Sequence, residues 1–362
     1  MRVLRSDQKA VMKLKDLDRL DRQLLYTISK NSRIPSSKIA HILHTPRDNI
    51  KYRIKRFETL DILVGSRMVA NIRKLGYSSF HIFAELKSHK KEQEDEFVAQ
   101  LNQDPFINAI ISYSGKRDLE ISVMAKDVFH FNDILRNKIL ASGFIDNFEI
   151  LILVNTIKGA VIPDGMIKEN IKIDYDRNDC SFYKDFMFKN TKKSNGKNGY
   201  KLDKTDIKLL SLLSENANLS LTKLGEKTDL SKDAVGYRIR NLIDSDIIVG
   251  FKPAVNYSNL GLSIQAFLLK LESADEKLKH DIDLFIKNHP NVLWAVDTLG
   301  RWDILMYLVT QSQDEIHNTV EDFRKSFGNN IKNYEILFAY QEHKYSYFPE
   351  GISQELMKEV QK

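Results

Sequence analysis

The sequence predicts an α+β chain of two tandem units, each a winged helix-turn-helix followed by a ferredoxin-like βαββαβ domain. An internal repeat, a change of hydrophobic period within each copy, and a segregation of charge between the two halves of each copy predict it. A shift of 185 residues lays Asp18 and Asp21 on Asp203 and Asp206, Tyr52-Arg53-Ile54 on Tyr237-Arg238-Ile239, and Gly115 and Asp118 on Gly300 and Asp303. One inserted residue then sets Phe148-Glu149-Ile150 opposite Tyr334-Glu335-Ile336. The period changes near Gly76 and Gly261, which divides the chain into 16–76, 77–156, a linker at 157–200, 201–261 and 262–342. The linker ends in the Lys/Asn/Gly-rich stretch KNTKKSNGKNGYK, and its NIKIDYD run has the character of an extra strand.

In the helical half, Asp18 fits the N-cap of a first helix and Asp21 the reciprocal acid of a capping box, with Leu24, Leu25 and Ile28 at helical spacing. Asp203, Asp206, Leu209, Leu210 and Leu213 repeat the arrangement. A short second helix, SSKIAHIL or LTKLGEKT, leads to a third that opens on PRDNIKYRIKRF or SKDAVGYRIRNL. At 100° per residue, Ile50, Ile54 and Phe57 of that helix fall within about 60° of one another and form its buried stripe. Tyr52 and Lys55 then lie on the opposite face, with Lys51 on one shoulder and Asn49 and Arg56 on the other. Arg47 and Arg53 flank the stripe. The runs LDILVGSRMVANI and SDIIVGFKPAVNY read as two short strands apiece with Gly65 or Gly250 between them, a wing. Asp61 and Asp246 leave the helix where a left-handed residue is expected.

Three helices, a basic third helix and a wing describe a unit whose last helix enters a DNA major groove. Residues 16–76 hold 13 lysines and arginines against 6 acids, whereas 77–156 hold 8 against 12. The second copy has 9 against 8 in 201–261 and 8 against 13 in 262–342, so the first should be the stronger grip on DNA. Its predicted contacts are Arg47, Asn49, Lys51, Tyr52, Arg53, Lys55 and Arg56; those of the second copy are Lys232, Tyr237, Arg238 and Arg240. For Arg53 and Arg238 a salt bridge to Asp21 or Asp206 competes with a phosphate contact, and both readings stay open. Gly236, inside the third helix of copy two, costs about 1 kcal/mol relative to alanine.

In the other half, SSFHIFAELK alternates as a strand, KKEQEDEFVAQLNQ follows as a helix, and INAIISYSGKRDLEISVMA reads as two strands turned at Ser114 to Arg117. DVFHFNDILRNKILAS and NFEILILVNTI complete the βαββαβ order. Such a sheet carries helices on one face, and the sheet of the other copy is the expected cover for its bare face.

LDRLDRQLLYTISKNSRI, RIKRFETLDILVG and GKRDL, with their second-copy counterparts, resemble the Lrp/AsnC (leucine-responsive, feast/famine) transcriptional regulators over both copies. The resemblance implies a transcriptional regulator acting on double-stranded DNA, dimerisation through the sheet domains, assembly into larger oligomers, and a small effector such as an amino acid near the hairpin. Gly115, Asp118, Gly300 and Asp303 are the effector candidates, although the glycines serve as turn residues and the aspartates can simply close the hairpin. Trp302 is an aromatic candidate for the same pocket. A tandem chain can form its dimer internally. Siroheme decarboxylases resemble this architecture too. The basic third helix and the lack of a visible convergent His/Tyr/Arg cluster argue against an enzyme. A third reading is an effector-sensing assembly partner with one degenerate DNA-binding copy.

The bulk of the sequence narrows the remaining classes. One cysteine, Cys180, excludes an internal disulfide, and no Cys/His spacing suits zinc, so neither metal nor cofactor is expected. No apolar run approaches a membrane span and the first residues lack a secretory pattern, which places the chain in the cytoplasm.

Overall fold

The structure, a computed structural model, describes residues 11–88, 90–162, 200–272 and 275–361. Most of the expected linker, including NIKIDYD, lies outside them. Copy one runs α1 (Arg19–Lys30), α2 (Ser36–Ile42), α3 (Arg47–Thr59), β1 (Leu63–Ala70), β2 (Ser78–Leu86), α4 (Lys91–Gln103), β3 (Ile107–Ser114), β4 (Leu119–Ala125), α5 (Val128–Ile134) and β5 (Ile145–Gly159). Copy two runs α6 (Lys204–Glu215), α7 (Leu221–Thr228), α8 (Lys232–Asp244), β6 (Ile248–Val255), β7 (Ser263–Leu271), α9 (Glu276–Asn288), β8 (Val292–Gly300), β9 (Ile304–Thr310), α10 (Gln313–Phe327) and β10 (Ile331–Tyr345), and ends in α11 (Glu350–Val360).

Local chemistry starts each helical unit. The Asp18 carboxylate accepts the Asp21 amide at 2.7 Å and the Asp21 carboxylate accepts the Asp18 amide at 3.4 Å, satisfying two orphan donors at once. Asp203 and Asp206 repeat the box at 2.8 and 3.2 Å. At the far end Asp61 and Asp246 take φ of 50° and 58°, the left-handed turn that lets the chain leave α3 and α8.

The wing differs from expectation. Each copy supplies one continuous strand in place of a hairpin, and β1 pairs with β6 across the copies as an antiparallel ribbon. Gly65, at φ 156°, sits at a register shift inside β1, so the glycine makes a bulge where a turn was expected. Arg67 pairs with Lys252, its own equivalent under the 185-residue shift, and a pseudo-twofold axis therefore passes between them. Matching hydrogen bonds bear this out: Ser32 N–H to Phe251 O and Ala217 N–H to Ser66 O are both 3.0 Å.

Each helical unit completes its core with residues of the other copy. Leu24, Ile28, Ile50 and Phe57 pack with Val255, Tyr257 and Leu260, while Leu209, Leu213 and Val235 pack with Met68, Ala70 and Ile72. The last helix joins the second cluster through Ile352 and Leu356.

The two sheets cover one another as expected and also join at their edges. Their strands form one closed barrel in the order β10-β3-β4-β2-β5-β8-β9-β7. Closure follows from the 15-residue length of β5 and β10. The first part of β5 pairs with β2, and its later part with β8 of the other copy. The strand β10 does the same with β7 and β3. Phe83, Ile111 and Leu151 meet Leu268, Trp302 and Leu337 between the sheets. A barrel has no free edges, which removes the aggregation hazard of two open sheets.

Candidate nucleic-acid interface

Helix α3 is anchored by Ile50 and Phe57, both fully buried, and α8 by Val235, Ile239 and Leu242. That anchoring turns Arg47, Lys51, Tyr52 and Lys55 to the outside in copy one, and Lys232, Tyr237 and Arg240 in copy two. Tyr52 is 67% exposed and Tyr237 61%, so each ring stands on the surface beside the outward cations. Among the described residues, none of the barrel covers these rings. Lys51 and Lys55 make, among the described residues, exposed ion pairs along the helix, to Asp48 at 3.4 Å and Glu58 at 3.5 Å.

The inner cations are engaged elsewhere. Arg53 Nη1 donates to Asp18 at 2.8 Å and to buried Asp21 at 2.5 Å, and Arg56 Nη2 reaches Asp21 at 3.1 Å. Arg238 holds Asp203 at 2.6 Å and buried Asp206 at 2.9 Å. Asn49 accepts from Arg53 Nε at 3.0 Å, so it belongs to this bracing network as well. Burial opposes charge on the Asp203 carboxyl, but the Asp206 amide and Arg238 outweigh it and hold its pKa below the ordinary value; Asp18 is lowered in the same way by the Asp21 amide and Arg53. Ser231 caps α8 by accepting the Ala234 amide at 3.2 Å, while Pro46 leaves α3 with no side-chain cap.

The four effector candidates lie where the hairpins meet the other copy. Gly115 and Gly300 take φ of 136° and 148°. A Cβ on Gly300 would lie 2.5 Å from the Ile150 carbonyl oxygen, and one on Gly115 3.3 Å from Leu337. Asp118 accepts the Leu86 amide at 2.7 Å, and Asp303 accepts the Leu271 amide at 2.8 Å and pairs with Lys270 at 2.9 Å. These carboxylates tie hairpin to neighbouring strand. Trp302 is buried between the sheets, its Nε1 donating to Glu149 at 3.0 Å.

A convergent cluster that sequence reasoning missed lies inside the barrel. Buried Glu120 is met by His81 Nδ1, Tyr113 and Tyr307, each at 2.5 Å. Burial and the Glu120 charge push both phenols well above their ordinary pKa, so they stay protonated donors. Four strands contribute these residues. The available signal was polar residues on apolar strands, His81 in SSFHIFAEL and Glu120 in LEISVMA. Among the described residues no group of three or more His, Cys, Asp or Glu could hold a metal, and no helix is long and apolar enough to cross a membrane.

Comparisons with known proteins agree with this arrangement. A model of the AsnC-type helix-turn-helix domain matches residues 17–58 and again 202–243, and one of the Lrp/AsnC ligand binding domain matches 79–161. An uncharacterized helix-turn-helix-type transcriptional regulator of Pyrococcus horikoshii is 32% identical over 122 residues, 33% of this chain and 81% of that protein. The Bacillus subtilis regulator LrpB is 27% identical over 154 residues, 42% of this chain and 99% of its own length. Among solved structures, the siroheme decarboxylase NirDL superposes with a TM-score of 0.57 over 95% of this chain and 100% of its own, at 13% identity, a likeness of fold. Two helix-turn-helix matches in register with the repeat, and a relative at this identity over most of its length, place the chain in the Lrp/AsnC family of transcriptional regulators, with two of the family's helix-turn-helix domains in one polypeptide.

Proposed function

We propose that the chain is a sequence-specific DNA-binding regulator whose two recognition helices, α3 and α8, are carried in fixed relation by the β1–β6 ribbon and the barrel. The observation that carries this reading is the sorting of side chains on those helices: inner arginines are braced against buried acids, and the outward face presents cations beside an exposed tyrosine. Arg47, Lys51, Lys55, Lys232 and Arg240 would neutralise phosphates or reach base edges, with Tyr52 and Tyr237 packing beside them. Arg53, Arg56, Arg238 and Asn49 would set the angle of the helix. The match to the Lrp/AsnC ligand binding domain supports control by a small effector. With Asp118 and Asp303 committed to their strands, an effector near those hairpins would be met mainly by other groups.

Selection of bound sites from random DNA, followed by a mobility shift titrated with salt, tests the proposal. A recurring sequence whose affinity falls steeply with salt is expected. Binding indifferent to both sequence and salt would overturn it.

The His81–Glu120–Tyr113–Tyr307 cluster favours one second reading, an enzyme related to the decarboxylase whose fold the chain shares. Absorbance of siroheme after incubation with the chain separates the two. The regulator reading expects an unchanged spectrum.

A further inference from the structure

A cavity of about 200 Å³ lies between the β1–β6 ribbon and the barrel, on the pseudo-twofold axis marked by Arg67 and Lys252. Residues of both copies line it. In a dimer of identical chains, residues meeting at such an axis come in equal pairs. Here they do not. Ser79, Asn108 and Ser122 of copy one occupy positions that copy two fills with Ile264, Leu293 and Tyr307, all of which line the cavity, and His81 corresponds to Ala266, which lies outside the lining. Ala109 is likewise matched by Trp294.

The lining is therefore two-sided. On the polar side Asn108 accepts the Ser122 hydroxyl at 2.8 Å, with Ser79 3.5 Å from Ser122. On the other side the Trp294 ring stacks on Tyr307 at 5.1 Å and 22° and on His81 at 6.4 Å and 10°, and the Tyr307 hydroxyl is committed to Glu120, which makes this side aromatic in character. Arg67 and Glu342 both line the space, and their opposite charges give no net preference for an ion. An apolar cavity of about 150 Å³ holds a single benzene, so this one suits one or two fused rings.

We propose that this cavity binds one flat, neutral aromatic heterocycle per chain, with its hydrogen-bonding edge toward Ser79, Asn108 and Ser122 and its ring against Trp294 and Tyr307. Fusion of the two copies makes the site possible, because it lets the two halves of an axial cavity diverge, as those of two identical chains cannot. Its roof is the ribbon that joins the two helical units, so a bound molecule would act on the spacing of α3 and α8.

The test is calorimetric titration of the full chain, in the absence of DNA, with benzimidazole, hypoxanthine and cyclohexanol. One site per chain is expected for the two heterocycles, with a dissociation constant of about 1 mM or tighter. Asn108→Leu and Trp294→Ala each give one half the residue of the other, and each should weaken binding about tenfold. Should Trp294→Ala fail to fold, as judged by its melting temperature, Ser122→Ala deletes a single oxygen and carries the same expectation. No saturable binding of either heterocycle, equal binding of cyclohexanol, two equal sites per chain, or affinity unchanged in both Asn108→Leu and Ser122→Ala would each overturn the proposal. Because no DNA is present, those outcomes leave the gene-regulator reading untouched.

Discussion

Tyr237 and Arg238 are neighbours in sequence with opposite surroundings, and substitution should separate their roles. Arg238→Ala strips buried Asp206 of its cationic partner and is expected to lower stability by about 1–3 kcal/mol in denaturant titration. Tyr237→Ala should leave stability within about 0.5 kcal/mol of the parent. If α8 docks on DNA, it should cost roughly 1–3 kcal/mol of binding. The acid response follows from the same bracing. Asp18 and Asp203 have folded pKa values below the unfolded 3.8, so their contribution is complete above that value and is lost as pH falls through the lowered one. In Arg238→Ala the fall of melting temperature below about pH 4 should be shallower. Gly236 stands where copy one has Lys51, and among the described residues a Cβ there would meet Leu221 Cδ1 at an ordinary 3.6 Å. Gly236→Ala should therefore stabilise by roughly 0.4–1 kcal/mol, read in the same titration.

At the level of elements, what could be read from the chain depended on how far apart the partners lie. The capping boxes and the left-handed Asp61 and Asp246 were legible, because their causes sit within four residues. The buried stripe of α3 was legible from spacing alone. The ribbon was not. A strand–Gly–strand hairpin and one bulged strand paired 185 residues away leave the same alternation in the sequence, and only the tertiary partner decides between them. The Glu120 cluster was hidden for the same reason, being assembled from β2, β3, β4 and β9. Gly300 was read as a turn residue, and its positive φ agrees, but its second duty is to let the Ile150 backbone approach. Gly300→Ala should cost about 1–3 kcal/mol in thermal unfolding through overpacking at this seam between copies.

For the whole molecule, duplication has preserved the frame and released the surfaces. The capping boxes at Asp18 and Asp203, the bracing pair Arg53 and Arg238 and the seam glycines recur in both copies, whereas the caps of the recognition helices, their outward faces and the axial cavity have drifted apart. Copy one holds the greater positive charge, so Lys51→Ala should reduce the salt slope of DNA binding by about one unit. Arg240→Ala should change it less if α3 supplies the stronger grip. Plots of affinity against salt for the two variants check this directly.

Each helical unit crosses onto a strand of the other copy. Neither half owns a finished hydrophobic interior: Phe57 and Leu24 rely on Val255 and Tyr257, and Leu213 and Val235 on Met68 and Ile72. Produced alone, fragments 1–162 and 200–362 should each be sticky and poorly ordered, yet mixed together they should reconstitute a single cooperative melting unit. The peptide link between them would then supply proximity, while the interlocked packing itself supplies cohesion.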